Sequence, residues 1–489
     1  MTAHADPREA IVVGAGPNGL SAAVELARHG VRVTVLEGQA QIGGGTRSAA
    51  LTLPGFRHDV CSAVHPMGAS SPFFRALPLG AHGLEWVQPD APLAHPFDDG
   101  TVAMLERSTA ATADTLARED ASAYRKLMDP LVAHWGALVE DALAPLHLPR
   151  HPIVMARFAR HALQSARGLA HRRFRDDRAR ALFAGIAAHT LEPLDRLPTA
   201  AFGLMLAAAG HAVGWPFARG GSQRIADALA SVLAEHGGRI VTSTPVRSLA
   251  EVPPAALTLL DLTPRQVLAI AGDRLPPRYR RSLSRYRYGP GVCKVDWALA
   301  EPIPWRAGAC VRAGTVHLGG PSEAIVRSAR TPWEGQREAR PFVILAQPTR
   351  FDSTRAPAGR HIAWAYCHVP HGSAVDMREA IEAQVERFAP GFREIILHRS
   401  VRTAVVMERD NPNLVGGDIN GGSQDWRQLF FRPRPAVNPY ATPVSGLYLC
   451  SSSTPPGGSV HGLCGYYGAR AALGGSMALQ AELSWRAAA

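Results

Sequence analysis

The turn at residues 14–19 constrains this chain more than any other feature. Ile11 to Val13 form a short apolar run, and Gly14-Ala15-Gly16-Pro17-Asn18-Gly19 follows at once. LSAAVELARHG then places apolar residues at helical spacing ahead of a glycine stop. Val31 to Leu36 reads as a second strand, closed by Glu37. The pattern predicts a complete βαβ unit within about thirty residues. In G-x-G-x-x-G one glycine permits the tight turn, one lets the backbone approach a pyrophosphate, and one lets the helix pack on the strand. The helix N-terminus then faces the phosphates. Glu37 stands eighteen residues beyond Gly19, where a carboxylate accepts from ribose hydroxyls and repels a 2′-phosphate. A glycine-rich turn alone can be a plain connector; with strand, helix, strand and acid in register it reads as a dinucleotide site. By itself it allows NAD or FAD.

A chain of 489 residues exceeds one ordinary core, so two or three domains are expected. With 46% hydrophobic and 19% charged residues it should fold compactly. The net charge of +11 comes largely from arginine and suits nucleic acid, anionic lipid or an acidic cofactor, but no charge run selects among them. We expect no nucleic-acid partner. The six cysteines, Cys61, Cys293, Cys310, Cys367, Cys450 and Cys464, form no CxxC pair, so neither a metal site nor a disulfide framework is expected. They read as reduced intracellular thiols. The leader MTAHADPREA is polar and reads as a cytoplasmic start. The uncharged stretch from Thr199 to Phe217 is interrupted by His211, glycines and Pro216, and reads as a buried helix.

Residues 108–215 read mainly as helices, with Ser108 and Thr109 as candidate N-caps. Within them PIVMARFARHALQSARGLAHRRFRDDRARALFAGI carries eight arginines from Arg157 to Arg180 among apolar residues, a basic amphipathic segment. A solvated face is its commoner meaning, and peripheral contact with anionic lipid is the alternative. After Gly220-Gly221-Ser222 an α/β layer resumes with RIADALASVLAEHG as helix and GRIVTSTPVRSL and AALTLLDLTP as strands. VCKVDWAL, PFVILAQ and HIAWAYCHV read as strands of a second sheet, with one helix near MREAIEAQVERFA. The expected fold is α/β: a discontinuous Rossmann-like domain from residues 1–75, 217–289 and 406–489, and a mixed sheet-plus-helices substrate domain from 76–216 and 290–405, with the helical insertion at 108–215.

Gly43-Gly44-Gly45-Thr46-Arg47 follows Glu37 directly, and GLYLCSSSTPPGGSVHGLCGYYGARAAL closes the chain with strand, Gly/Pro turn and helix. Together these resemble the flavin-containing amine oxidase and phytoene desaturase superfamily. HDVCSAVHP, GGSQRIADAL, TLLDLTP, NPNLVGGDINGG and YLCSSSTPPGG narrow the likeness to bacterial phytoene-dehydrogenase-like proteins related to pyridine nucleotide-disulfide oxidoreductase domain-containing protein 2. Residues 108–215 match only in composition. The resemblance implies FAD, in a glutathione-reductase-type domain, with Gly44, Gly45, Thr46 and Arg47 on the pyrophosphate. It places Gly457, Gly458, Val460 and Gly462 along the ribityl chain and isoalloxazine, and counts Val246 among the cofactor-binding residues. Many members carry Gly-Asp after the last strand; here Ser451-Ser452 stand there, so hydroxyls replace a carboxylate.

GPGVCKVDWALAEPIPW resembles the amine-oxidase strand that sends a lysine toward the flavin, which makes Lys294 a candidate for proton shuttling or reaction with oxygen. The bland alternative is an exposed strand lysine paired with Asp296 or another surface acid. His461, in the flavin-closing turn, is a candidate hydrogen-bond or acid/base residue, or a capping or packed histidine at the helix start. His58, Asp59 and His65 read as structural, Asn413 and Asp418 as turn residues, and Tyr466 and Tyr467 as site walls or packing. The expected activity is removal of hydride and proton from an apolar, isoprenoid or lipid-like substrate, with electrons leaving to oxygen or a quinone because only one dinucleotide fingerprint is present. Amine oxidation, a non-redox flavin isomerase, and a binding protein resembling the Rab GDP-dissociation inhibitors are the rivals. Oligomeric state is not legible.

Overall fold

The computed structural model describes residues 9–474; most of the polar leader lies outside them. Five parallel strands form the first sheet, in the order Leu447–Leu449, Leu257–Leu260, Glu9–Val13, Arg32–Leu36, Arg239–Val241. The chain's first strand is therefore central. Parallel strands covered on both faces must be apolar on both, as IVV and TLL are. Ala10, Val12 and Leu259 pack beneath the helices Pro17–Arg28, Gln223–Glu235 and Leu463–Ala472. Ile11, Val13 and Leu260 pack on the opposite side with Val267, Tyr279 and Leu283 of the helices Pro264–Ala271 and Pro277–Ser284. The expected strand in GRIVTSTPVRSL is shorter than its β-branched content suggests: it stops at Val241, ahead of Ser243 at φ 53 and the ring of Pro245.

The second sheet has seven strands, ordered Ile396–Arg402, Gly291–Leu299, His361–Val369, Val343–Ala346, Ala313–Leu318, Ala91–Pro96, Val102–Leu105. All pairs are antiparallel except Ala313–Leu318 with Ala91–Pro96. One face packs on the helix Arg378–Phe388 through Trp297, Val385 and Phe388. The other carries the helical layer.

That layer holds seven helices between Thr109 and Ala212. Ser108 caps the first, its hydroxyl accepting from Ala111 N at 3.0 Å. The arginine-rich segment is not one amphipathic helix. Ser165 and Asp176 each start a new helix by accepting from Gly168 N and Arg178 N, and so divide it into Pro152–Ala162, Ala166–Arg173 and Asp177–Ala187. Its arginines point different ways: Arg167 pairs with Glu323, Arg178 with Asp176, and Arg180 donates to Phe174 O. Thr199–Ala212 is a largely buried helix, and no described helix is long and apolar enough to cross a membrane.

Candidate active site

In the parallel sheet the strand order turns about Glu9–Val13, with Arg32–Leu36 on one side and Leu257–Leu260 on the other. Ligands of such sheets bind beyond the carboxyl ends of the strands at this switch point. The residues leaving those ends are Gly14, Glu37 and Asp261, and all three line a cavity of about 790 Å³. It continues between the mixed sheet and the helical layer, past Cys61, Met67, Met155, Phe158, Met205, Trp215, Ile344, Trp364 and Tyr366.

The glycine turn is fixed from behind by Asp261. Its Oδ2 accepts from Gly19 N at 2.9 Å, and a Cβ on Gly16 would lie 2.8 Å from the same oxygen. A Cβ on Gly19 would lie 2.0 Å from Gly14 O, and Gly14 itself holds φ 103. Gly16 begins the helix with no side-chain cap, which leaves backbone N–H groups and the positive end of the helix dipole toward the cavity. Glu37 Oε2 accepts from Ala15 N at 2.8 Å and its Oε1 from Gln39 N at 2.9 Å, so the carboxylate is held at the rim of the turn. Burial pushes the Asp261 carboxyl up to about 7, against the Gly19 hydrogen bond and with help from nearby Glu37. Asn413 secures this strand end, donating to Asp261 O at 2.8 Å and accepting from Thr263 N at 3.0 Å. Asp418 similarly gathers the N–H groups of Gly289, Asn420 and Gly422, which is turn chemistry.

Gly44, Gly45, Thr46, Arg47, Val246, Ser452, Gly458, Val460 and His461 join Gly14, Gly16, Pro17, Asn18 and Glu37 on the cavity wall. Arg47 is aimed by two bonds, Nε to Gly44 O and Nη2 to Asp410 O. Gly19, Gly457 and Gly462 are not on the wall. They shape it: Gly462, at φ 69, opens the helix Leu463–Ala472, and a Cβ on Gly465 in that helix would fall 1.8 Å from Asn18 O. The first and last described helices therefore cross at backbone contact, which brings the two ends of the chain into one clamp. The FAD implied by the sequence fits what is there: an uncapped helix N-terminus, a turn that admits no Cβ, an acid for ribose and an arginine for phosphate. His461 adds a further fit. Its Nδ1 accepts from Leu463 N at 3.1 Å, and burial pushes its pKa down to about 4, the neighbouring Gly457 carbonyl opposing. With Nδ1 accepting, the neutral ring carries its proton on Nε2, buried inside the closing turn beside Gly457.

Lys294 lies elsewhere than expected. It is buried beneath the wall, with Nζ donating to both oxygens of Asp296 at 2.5 and 2.6 Å and to Asp59 O at 3.0 Å, and lying 5.2 Å from the centre of the Trp364 ring. Burial lowers its pKa and Asp296 opposes the shift. It thus makes the Asp296 pair and is one side-chain layer from the cavity. Asp59 pairs with Arg355 at 2.6 Å and accepts from Ser48 Oγ and Ser222 N. His58 binds Thr52, and His65 binds Ser222. Tyr466 and Tyr467 pack against each other and do not reach the cavity wall. Sequence reasoning missed Asp261, Trp364, Tyr366 and His189. Asp261 had a signal, since it ends an apolar strand as Glu37 does.

The sequence profile of the family described as flavin containing amine oxidoreductase matches residues 18–275, more than half the chain. Pyridine nucleotide-disulfide oxidoreductase domain-containing protein 2 of Rattus norvegicus is 25% identical, over 94% of this chain and 92% of its own length. The neurosporene-forming phytoene desaturase of Rhodobacter capsulatus is also 25% identical, over 93% and 92%. An oxidoreductase structure from Methanosarcina mazei superposes with a TM-score of 0.67 at 16% identity, covering 95% of this chain and all of that one.

Proposed function

From the premise that this chain belongs to the flavin-containing amine oxidoreductase family and binds FAD, we propose that it oxidises an apolar, isoprenoid- or lipid-like molecule by removing a hydride and a proton, with oxygen or a quinone taking the electrons. The cavity wall carries this reading. Beyond the glycine turn its surface includes Met67, Met155, Phe158, Met205, Leu206 and Ile344, which favour an apolar guest by burial. An amine would bring an ammonium group into a chamber that offers it no free carboxylate, so desaturation is preferred to amine oxidation.

FAD, when bound, supplies a two-electron acceptor. The protein's own tasks are then distinct. Gly14, Gly16, Asn18 and Arg47 would hold the pyrophosphate and Glu37 the ribose, and His461 would stand in the turn that closes over the ring, where fixed donors stabilise developing negative charge. Trp364 and Tyr366, stacked 5.8 Å apart at 13°, give the guest a flat wall and exclude water. Lys294, 5.2 Å from the centre of the Trp364 ring, would act through it as a positioning residue for reoxidation of bound flavin by oxygen. In the Lys294→Met/Asp296→Leu protein, which leaves no lone buried charge, reoxidation of the flavin by air should slow by about tenfold, equivalent to about 1.4 kcal/mol. An unchanged rate would remove Lys294 from the mechanism. For the reaction class, anaerobic mixing of the flavin-loaded protein with carotenes, other lipids and amines should bleach the flavin with apolar substrates; bleaching by amines alone would overturn the assignment.

A further inference from the structure

Within that reading of the cavity as a substrate chamber, its far end has a polarity of its own. Two cross-strand rows run beneath it, and Ile344, Tyr366 and Trp364 reach its floor. His317, Ile344, Tyr366 and Lys294 stand opposite one another in turn, and beside them Thr315, Ala346, Trp364 and Asp296. At the helical side His189 lines the cavity, with its Nε2 3.0 Å from Nε2 of His317.

Two facing imidazole nitrogens at that distance share one proton, so one ring donates and the other accepts. His317 is buried, and its Nδ1 has no partner among the described residues; it faces the backbone of Gly185, where a Cβ would come within 2.6 Å. A proton on that nitrogen would be an orphaned buried donor, costing about 1–3 kcal/mol. The proton therefore sits on His317 Nε2 and is given to His189, which in its neutral form keeps its own proton on Nδ1. Burial keeps both rings uncharged: His189 is pushed down to about 3, with His368 adding to the shift, and His317 well below its usual range.

The charged residues of the cavity wall are all engaged elsewhere. Glu37, Arg47, Asp261 and Asp410 belong to the cofactor end. Asp141 accepts from the backbone N–H groups of Arg150 and His151 and contacts His147. Lys294 and Asp296 neutralise each other under Trp364.

We infer that the substrate is an uncharged, mainly apolar molecule bearing a neutral hydrogen-bond acceptor, such as a carbonyl or ether oxygen, and that His189 donates to that acceptor. A pure hydrocarbon would leave that donor unmet, and an ammonium or carboxylate group would meet no counter-charge. The test measures binding to the FAD-loaded protein by equilibrium dialysis, so no turnover is required. Dodecyl methyl ketone should bind about tenfold more tightly than tetradecane, and tetradecylammonium least well, a tenfold ratio corresponding to about 1.4 kcal/mol. In His189→Leu the ketone and alkane should become nearly equal with alkane binding retained, whereas His189→Asn, which keeps an N–H donor, should preserve part of the preference. Equal binding of ketone and alkane by the unaltered protein, an undiminished preference in His189→Leu, or tightest binding of the ammonium ion would each overturn the inference. Binding of none of the three would overturn it together with the reading of the cavity as an apolar substrate chamber.

Discussion

Gly19→Ala should give a protein that no longer retains FAD. The new Cβ would lie 2.0 Å from Gly14 O and 3.1 Å from the Asp261 side chain. Neither neighbour can yield: Gly14 is locked at φ 103 between the first strand and helix, and Asp261 is held through its backbone by Asn413 and through its carboxylate by Gly19 N. The helix start must then move off the strand end, which spoils the N–H array and the turn together. Overpacking of this kind costs about 1–3 kcal/mol or more, and 3 kcal/mol is more than about a hundredfold in affinity. Flavin content after gel filtration, with circular dichroism to verify the fold, checks the result; a Gly19→Ala protein with full flavin content would contradict it.

Arg355→Met should produce the largest loss of stability. Arg355 and Asp59 form an ion pair with both side chains at 0% exposure. Asp59 also accepts from Ser48 Oγ and Ser222 N, and Arg355 also donates to Arg57 O. One carboxylate thus joins the loop after the glycine doublet, the start of the helix Gln223–Glu235 and the mixed-sheet domain. Removing the guanidinium strands a buried charge, at about 3–5 kcal/mol. The pH dependence has a definite sign. Burial alone would raise the Asp59 pKa, but Arg355, the Ser222 N–H and Ser48 hold it below 3.8. The pair's contribution is therefore full above the unfolded value and is lost as pH falls through the lower folded value. Without Arg355 the carboxyl favours its protonated form, so the deficit in thermal midpoint should be largest near neutral pH and narrow toward pH 4 on the scale of that pKa. A deficit of equal size at both pH values, or one under about 1 kcal/mol, would show that the pair is not a keystone.

The parallel sheet was legible because its signals are local. The Gly14–Gly19 spacing, the helix behind it and the acid at Glu37 lie within thirty residues, and each reports the same geometry. The strands around Lys294 and Trp364 were legible as apolar runs. Their environment was not: the carbonyl that binds Lys294 belongs to Asp59, 235 residues away in sequence. The arginine-rich segment reads as one amphipathic stretch by composition alone, but Ser165 and Asp176 are ordinary N-cap residues that break it into three. The polar end of the chamber had no local sign, since His189 and His317 lie 128 residues apart and meet only when the helical layer settles on the mixed sheet.

The central claim is that the glycine turn, Glu37 and the closing turn around His461 form one FAD site. The most direct measurement is the visible spectrum and flavin stoichiometry of the purified protein, before and after incubation with FAD and gel filtration. The purified protein should show the absorption bands of bound flavin at about one FAD per chain, released intact on denaturation, and Gly19→Ala should lose them. A folded protein that stays colourless after reconstitution would contradict it.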